Sequence, residues 1–406
     1  MLQLLHNDLK KSLPIHTVRL KRLITSTGCL LSHAPLSMTA IGRKTKGPAK
    51  VKNKIKAVDR LLGNNNLYAE QVDIYKIMAK KIIGNMQNID ILVDWSSVGN
   101  NKNHMLRASI AFDGRSVTLY QEVHPEKLLG NYNIHKQFLN NLKRIIPSGC
   151  NVNIITDAGF RTEWFELVQK QDWDFTGRVL TPIAYKLDGE DNWQLCSTLY
   201  EKATNIPTYI SRGTLAKERQ LECDIYLYSE KLNKQILNKV LEPKKKKRKI
   251  RTSGCGGRKY RKSYETPWLL VTSKKHHSNN AKKIVMKYSR RMKIEHDFRS
   301  TKNFKTGLGL NIYGKHDIKQ KPHRLAILLL LAALAMYVLW LIGLAAEAKK
   351  LHYRFQANTY KDKRVLSLIF LGLQVIEHCI EEITIHDMLS SLLKTQEIEQ
   401  QNGENQ

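Results

Sequence analysis

The stretch NIDILVDWSS, residues 88–97, marks the point at which the chain changes from helical to strand periodicity. MLRASIAFDG (105–114) follows as a second strand, and SVTLYQEVH (116–124) alternates apolar and polar residues as a third strand would. Within residues 134–180 the pattern then runs helix, strand, helix and strand. This order predicts an α/β fold with a mixed sheet and helices on its faces.

Two aspartates in this region end apolar runs. Asp94 ends ILVD, and Asp157 ends NIITD. Ligand sites in α/β sheets lie at the carboxyl ends of strands, so both carboxylates are candidates for chemistry. Strand-end aspartates also cap turns commonly, which is the plainer interpretation of either one alone.

A second candidate segment is YSRRMKIEHDFRSTK, residues 288–302, which has helical spacing. At about 100° per residue, one stripe about 80° wide contains five polar side chains. These are Tyr288, Arg291, Glu295, Arg299 and Lys302. The residues predicted to point into solvent are Arg290, Lys293, His296, Asp297 and Ser300. A stripe about 21 Å long fits a row of phosphates, whereas the i,i+4 pair of Arg291 and Glu295 also fits a surface helix with ion pairs.

Asp94, Asp157 and Glu295 together form a donor set for metal ions. Mg²⁺ prefers carboxylate oxygens and keeps positions open for water and phosphate. Two such ions, about 3.5 to 4 Å apart, would support in-line phosphoryl transfer. The joint pattern therefore favours phosphoryl-transfer chemistry over three unrelated caps.

The composition favours a polyanionic partner. The 406 residues include 67 Lys and Arg against 36 Asp and Glu, a formal charge of +31. Nucleic acid is the partner that this charge predicts. The six cysteines form no C-x-x-C pair, which argues against a zinc cluster and a disulfide framework and indicates a reducing compartment.

Basic segments lie at two further places. Residues 49–63, AKVKNKIKAVDRLLG, read as a helix whose Lys52, Lys54 and Lys56 suit a DNA groove, although a solvated basic helix is equally consistent. The tract PKKKKRKIRTSGCGGRKYRK, residues 243–262, resembles a nuclear-import signal but is read more economically as a loop on a phosphate backbone. The polar tail 395–406 is predicted to be disordered.

The apolar segment LAILLLLAALAMYVLWLIGLAA, residues 325–346, raises the question of a membrane. It is uncharged and long enough to span a bilayer. Its Ala and Gly residues also suit a helix that is buried on all sides. The residues alone leave the two interpretations open, and the opening MLQLLHNDLKKSLP predicts no secretory signal.

Several motifs carry a family resemblance. ILVDWSS, GRSVTLY, ITDAGF and the pattern Tyr288-x2-Arg291-x3-Glu295-x6-Lys302 resemble the DDE transposases of insertion-sequence family four, with greatest similarity to the tetracycline-transposon enzyme. The resemblance extends from DRLLGN (59–64) to LGLQV (371–375). The four-residue signature is much more specific than any single acidic motif.

The resemblance implies an RNase H-like, retroviral integrase-like core, with Asp94, Asp157 and Glu295 as the metal-binding catalytic triad. It implies two Mg²⁺ ions, for which Mn²⁺ can substitute. It also implies that Tyr288, Arg291 and Lys302 contact phosphates of the transposon end, and that Trp268 receives a flipped base. Arg299, from the same helical stripe, is a further expected DNA contact. The expected reaction is cut-and-paste transposition: nicking, hairpin formation, hairpin opening and strand transfer.

The expected domain order follows from the same resemblance. Residues 1–80 form an all-α DNA-binding region, 81–180 and 266–325 the two parts of the core, 181–265 a β-rich basic insertion, and 326–406 a helical C-terminal region. The expected partners are transposon-end DNA, target DNA and a second copy of the chain, in the bacterial cytoplasm at the nucleoid and without a membrane. The rival interpretations are a non-catalytic DNA-binding protein derived from a transposase and a single-span membrane protein.

Overall fold

The computed structural model describes residues 2–98, 102–112, 114–229, 266–273, 280–303, 305, 307–310, 321–357 and 363–404. The chain divides into two compact units. The first unit comprises Met1–Asn153 and Arg291–Gln406, and the second comprises Ile154–Arg290. The lysine run 244–249 and Cys255 lie outside the described residues. The five described cysteines are free.

The first unit begins with helices. They are α1 (Leu2–Ser12), α2 (Thr17–Leu31), α3 (Met38–Lys44), α4 (Val51–Leu62) and α5 (Asn65–Ile83). Lys46, Gly47 and Pro48 lie in the segment between α3 and α4. Side-chain caps explain two of the starts: Ser37 accepts from the Ala40 amide, and Asn64 from the Leu67 amide.

Three antiparallel strands follow in the first unit. They are β1 (Asn88–Val98), β2 (Asn103–Phe112) and β3 (Arg115–Pro125). Helix α6 (Tyr132–Ile145) and strand β4 (Asn151–Thr156) come next. The side-chain amide of Asn153 donates to Asp90 at 2.8 Å, which places the start of β4 beside the start of β1. Strands and helices thus alternate as predicted, and the α/β class is confirmed.

The core of the first unit is built around the long apolar helix. Helix α10 (Pro322–Ala348) is long and apolar enough to cross a membrane, yet all its residues from Leu325 to Ala346 are buried against the rest of the unit. Its neighbours include α2, α5, β3 and α11 (Leu368–Glu377). A Cβ at Gly343 would lie 2.1 Å from the Leu368 carbonyl oxygen, so glycine permits this close helix contact. Burial on all sides favours the core-helix interpretation.

The polar tail is helical, which corrects the prediction of disorder. Helix α12 (Ile385–Glu404) includes most of the segment. Gln396 Nε2 donates to the carbonyl oxygens of Lys81 and Ile82, and Gln400 Oε1 accepts from the Gln87 amide. These side chains bind backbone groups at the end of α5, so the helix is held by polar contacts that average composition does not reveal.

The second unit contains an antiparallel sheet. Its strand order is β5-β10-β9-β8-β6-β7. The strands are β5 (Asp174–Val179), β6 (Ala184–Leu187), β7 (Gln194–Leu195), β8 (Thr208–Leu215), β9 (Leu221–Tyr228) and β10 (Trp268–Thr272). Helix α7 (Thr162–Gln169) packs on β5, where the rings of Phe165 and Phe175 stack at 4.5 Å.

The predicted helix 288–302 is not continuous. It is interrupted at Arg290 and Arg291, between α8 (Ala281–Ser289) and α9 (Met292–Lys302). The same position is the boundary between the two units. Tyr288 therefore belongs to a different helix and a different unit from Glu295, and the five predicted residues do not form one stripe.

Candidate active site

Strand β1 continues past Asp94 to Val98, so the prediction that Asp94 ends its strand is wrong. The C-terminal half of β1 presents two polar side chains on one face. Asp94 and Ser96 are two positions apart, and side chains of a strand alternate between faces. Asp94 is buried, and its Oδ1 accepts the Trp95 amide at 2.7 Å. A buried carboxylate requires a charged or hydrogen-bonding partner. Arg291 supplies the charge, with Nη1 at 3.5 Å from Asp94 Oδ2.

Helix α9 contacts this end of β1 through both of its own ends. Arg291 pairs with Asp94 at the first turn, and Lys302 Nζ donates to Ser96 Oγ at 2.8 Å at the last. Glu295 follows Arg291 by four residues, so it lies one turn further along the same helix face. Its side chain is exposed. Glu295 therefore lies between Arg291 and Lys302, the two residues that contact Asp94 and Ser96.

The pKa of Lys302 depends on its burial and on two neighbouring charges, those of Arg107 and Glu295. Burial lowers the pKa of the Lys302 ammonium, and the positive charge of Arg107 acts in the same direction. The Glu295 carboxylate raises this pKa. Lys302 is therefore held partly desolvated, close enough to Glu295 for their charges to interact.

The other face of α9 is partly packed: His296 is exposed as predicted, but other residues predicted to point into solvent have partners within the protein. Asp297 is fully buried and pairs with Arg107 at 3.1 Å. Ser300 is buried and accepts a hydrogen bond from Arg115, and Lys293 Nζ donates to the Phe112 carbonyl oxygen at 2.7 Å. Their polar character predicts exposure to solvent. In the structure, strands β2 and β3 pack against this side of α9 and supply partners for these side chains.

Asp157 lies in the second unit, just after β4. Its Oδ1 accepts the Gly159 amide at 2.8 Å, which is the turn-capping contact that a strand-end aspartate commonly makes. The side chain is half-buried. Asp94 and Glu295 belong to the first unit.

The donor chemistry of the triad fits Mg²⁺, because all three groups are carboxylates. Within the described part of the chain, no three or more His, Cys, Asp or Glu side chains are grouped so that they could hold a metal ion. Asp94 and Asp157 each have one oxygen engaged by a backbone amide. Such contacts orient the two carboxylates, and the second oxygen of Asp94 is paired with Arg291.

Trp268 and Tyr288 meet in the second unit. Trp268 is the first residue of β10, and its ring is 5.0 Å from Tyr288 and 5.6 Å from Tyr228, edge to face in both cases. Tyr288 is buried, whereas Trp268 is half-buried. Tyr288 thus supports the indole ring, and part of the indole surface is accessible.

The predicted DNA-contacting cations are distributed over separate surfaces. Arg299 is exposed on α9, and Lys52 and Lys56 are exposed on α4. Lys54 is half-buried and lines a cleft of about 400 Å³. Other cations that line this cleft, which the sequence reasoning missed, are Lys21, Arg22 and Lys46. The basic segment TVRLKRL at the start of α2 was the available signal.

The strand carrying Asp94 is anchored by its neighbour Trp95. Trp95 Nε1 donates to His135 Nε2 at 3.1 Å, which requires a neutral imidazole. Burial lowers the pKa of His135 from 6.5 to about 4, and the charge of His124 acts in the same direction. Below pH 6.5 the His135 imidazole is therefore protonated in the unfolded chain, whereas in the folded protein it stays neutral until the pH falls to about 4.

This contact predicts a specific loss of stability in acid. As the pH falls from 6.5 toward 4, His135 should lower the free energy of unfolding by about 1.4 kcal/mol per pH unit. Urea unfolding of the wild type and His135→Gln at about pH 7.5 and about pH 5 measures this contribution. The Gln side chain still accepts from Trp95 but does not titrate. Identical pH dependence in the two proteins would contradict the assignment.

Comparison with known proteins identifies the family. A search of curated proteins gives no match to the chain. The family model described as the transposase DDE domain matches residues 88–331, which is more than half of the 406 residues. The match begins at the first residue of β1 and includes Asp94, Asp157 and Glu295. The chain therefore belongs to the DDE transposase family and is a DNA-processing enzyme.

Proposed function

We propose that this transposase, of insertion-sequence family four, performs cut-and-paste transposition. Hydrolysis would free a 3′-OH, which attacks the opposite strand to form a hairpin, and the reopened end would then join target DNA. An RNase H-like arrangement of β1 to β4 and α9 would carry the chemistry. Family membership and the strand order support this proposal.

The contact of α9 with the end of β1 is the observation that carries the proposal. Arg291 and Lys302, which bracket Glu295 on the helix, reach Asp94 and Ser96. Glu295 lies between these two cations in the sequence and belongs to the same unit as Asp94, which supports a position near it. A surface helix that is stabilised only by ion pairs within the helix would not need contacts with a neighbouring strand near both its first and its last residue.

Asp94, Asp157 and Glu295 would hold two Mg²⁺ ions, for which Mn²⁺ can substitute. The bound ions would supply charge stabilisation at the reacting phosphate and lower the pKa of the attacking water. Arg291 would orient Asp94, and the Trp95 and Gly159 amides would orient the two aspartates. These contacts keep the ligands in place between successive phosphoryl transfers.

The proposed partners are transposon-end DNA, target DNA and a second copy of the chain in a paired-end complex, in the bacterial cytoplasm and without a membrane. The formal charge of +31 supports a polyanionic partner. Arg291, Arg299 and Lys302 would contact phosphates near the cut, supported by Tyr288 beside Trp268. Lys52, Lys54 and Lys56 would contact DNA further from it.

The direct test uses DNA that carries the terminal inverted repeats flanking the gene. Purified protein, Mg²⁺ and end-labelled DNA should give nicked, hairpin and strand-transfer products. End binding without any cleavage, in Mg²⁺ or Mn²⁺, would instead support the alternative of a non-catalytic DNA-binding protein. The intact set of three carboxylates favours the enzyme.

The two bracketing cations give a quantitative prediction. Arg291→Ala and Lys302→Ala should weaken end binding and flatten its dependence on salt by about 0.9 in the log–log slope for each lost phosphate contact. Fluorescence anisotropy over a range of salt concentrations measures the slope.

Lys349→Ala is the matched control, because it removes one positive charge whose partners are Asp387 and the Glu382 carbonyl oxygen. Its slope should equal that of the wild type. A wild-type slope in the Arg291 and Lys302 variants would mean that these cations serve only the contacts within the protein.

A further inference from the structure

Arg107 is a fully buried cation at the centre of the first unit. Its side chain is 1% exposed and that of its partner Asp297 is 0% exposed, with Nη1 and Oδ2 at 3.1 Å. Nη2 also donates to Thr301 Oγ1 at 3.1 Å. Asp297 and Thr301 are one helical turn apart, so a single guanidinium binds two successive turns of α9.

The strand position of Arg107 relates this contact to the candidate active site. In the antiparallel register of β1 and β2, Arg107 is the direct partner of Asp94. Side chains of directly paired residues lie on the same face of a sheet. Asp94 and Arg107 thus both face α9, one bound to Arg291 and the other to Asp297.

Asp297 is held by both neighbouring strands. Its Oδ2 accepts from Ser109 Oγ at 3.2 Å on β2 and from Thr118 Oγ1 at 2.7 Å on β3. Ser109 and Thr118 are themselves direct partners in the β2–β3 register. The carboxylate therefore has a single position relative to these strands, and it lies two residues after Glu295 on the helix.

Gln121 fixes the guanidinium from the opposite side. Its Oε1 accepts from Arg107 Nε at 2.9 Å and Nη2 at 2.7 Å. Its Nε2 donates to the Tyr75 hydroxyl at 3.0 Å and to the Leu329 carbonyl oxygen at 2.9 Å. The network therefore connects α9 to β2, β3, α5 and α10. Because Gln121 holds the Arg107 guanidinium, Arg107 could not move with α9 if the helix shifted along its axis.

We propose that Arg107 and Asp297 are positioning residues that fix the axial register of α9, and with it the place of Glu295 beside Asp94. This inference rests on the proposed role of Glu295 as a metal ligand. A slip of one residue would move Glu295 by about 1.5 Å along the helix axis and rotate it by about 100°. Apolar contacts alone are non-directional, so they oppose such a slip less strongly than this ion pair does.

Stability alone does not account for the pair. A buried ion pair can be replaced by apolar side chains of similar volume without loss of stability, because desolvation of both charges offsets their attraction. Arg107 donates hydrogen bonds to Thr301 and Gln121, and Asp297 accepts them from Ser109 and Thr118. These hydrogen bonds are directional, whereas apolar contacts are not. The position of the pair, between the strand of Asp94 and the helix of Glu295, makes that geometry useful for the site.

The test combines three variants with one control. Asp297→Asn retains the side-chain shape but removes the charge, Arg107→Lys retains the charge but not the fork of donors, and the double variant Arg107→Met, Asp297→Leu replaces the pair by apolar groups. Leu139→Ala is the control, since Leu139 is fully buried on α6 of the same unit and its truncation destabilises without touching α9 contacts.

Hydrogen exchange and Mn²⁺ binding give two independent readouts. At matched margins of stability, amides of residues 292–302 should exchange faster in the three variants than in the control. Mn²⁺ binding to the protein–DNA complex, followed by electron paramagnetic resonance, should weaken by about 10- to 100-fold, as for other residues that orient ligands. Single-turnover nicking should fall in parallel and recover partly at high Mn²⁺.

Exchange and Mn²⁺ binding equal to those of Leu139→Ala in all folded variants would overturn the positioning role. Absence of Mn²⁺ binding and cleavage in the wild type would instead overturn the proposed function. Hydrogen exchange does not depend on metal binding. Faster exchange confined to residues 292–302 would therefore still show that the Arg107–Asp297 pair holds α9 in place. The two failures are therefore distinguishable.

Discussion

Replacement of Asp94, Asp157 or Glu295 by its amide is expected to abolish nicking, hairpin formation and strand transfer together. One site should serve every phosphoryl transfer, so no step should survive the loss of a ligand. A bound metal contributes several kcal/mol to transition-state stabilisation, and a loss of about 4 kcal/mol corresponds to about 10³-fold in rate. Single-turnover assays with labelled ends in Mg²⁺ measure each step.

The affinity for the transposon end should remain within about threefold of the wild type, because these substitutions remove no cationic contact with a phosphate. A tenfold change in affinity would need a loss of about 1.4 kcal/mol of binding free energy. In Asp94→Asn, the side-chain carbonyl oxygen can still accept from the Trp95 amide, which preserves the local backbone. The matched control is Asp90→Asn, a carboxylate on the same strand whose partner is Asn153. It should cleave normally. Near-normal cleavage by any one of the three triad variants would remove the substituted residue from the site.

The strands and most helices could be predicted from the sequence because their signals are local. The period-two pattern of β3 and the position of Asp157 just after β4 depend only on neighbouring residues. Arg291, Glu295 and Lys302 could be placed on one face because α9 is a regular helix. The break at Arg290 and Arg291 could not be predicted, since both residues have good helix propensity. It coincides with the boundary between the compact units, which local sequence does not reveal.

The error at Asp297 has a different physical origin. Amphipathic analysis assigns charged residues to solvent, but Arg107, from a distant part of the chain, offers a buried partner of opposite charge. No periodicity reveals such a pair, because neither residue is apolar. Gln396 and Gln400 in α12 present the same difficulty, since their partners are backbone groups at the end of α5. Polar contacts between distant segments are what the sequence pattern leaves undetermined.

Trp268→Ala is expected to separate hairpin formation from nicking. Stacking of a base on an aromatic ring contributes about 1 to 3 kcal/mol, so its loss should slow a step that needs a flipped base by about 5- to 150-fold. Hydrolytic nicking needs no flipped base and should proceed at close to the wild-type rate. Trp268→Phe retains a ring and should retain partial hairpin formation.

The aromatic cluster offers a competing structural role. Trp268 contacts Tyr228 and Tyr288 edge to face, and such contacts also stabilise a fold. Tyr228→Ala is therefore the matched control, because it removes a ring from the same cluster and leaves the indole in place. Packing alone predicts that both alanine variants lose stability and lose nicking, hairpin formation and end binding to similar degrees.

A single-turnover time course on labelled ends decides between the two roles. A denaturing gel resolves nicked, hairpin and opened products, and thermal unfolding of each variant reports its stability. We expect Trp268→Ala to accumulate nicked DNA, whereas Tyr228→Ala should convert nicked DNA to hairpins at the wild-type ratio. Equal loss of all steps in Trp268→Ala would show that this indole is a packing residue, and the accessible ring surface at the start of β10 would then have no part in hairpin formation.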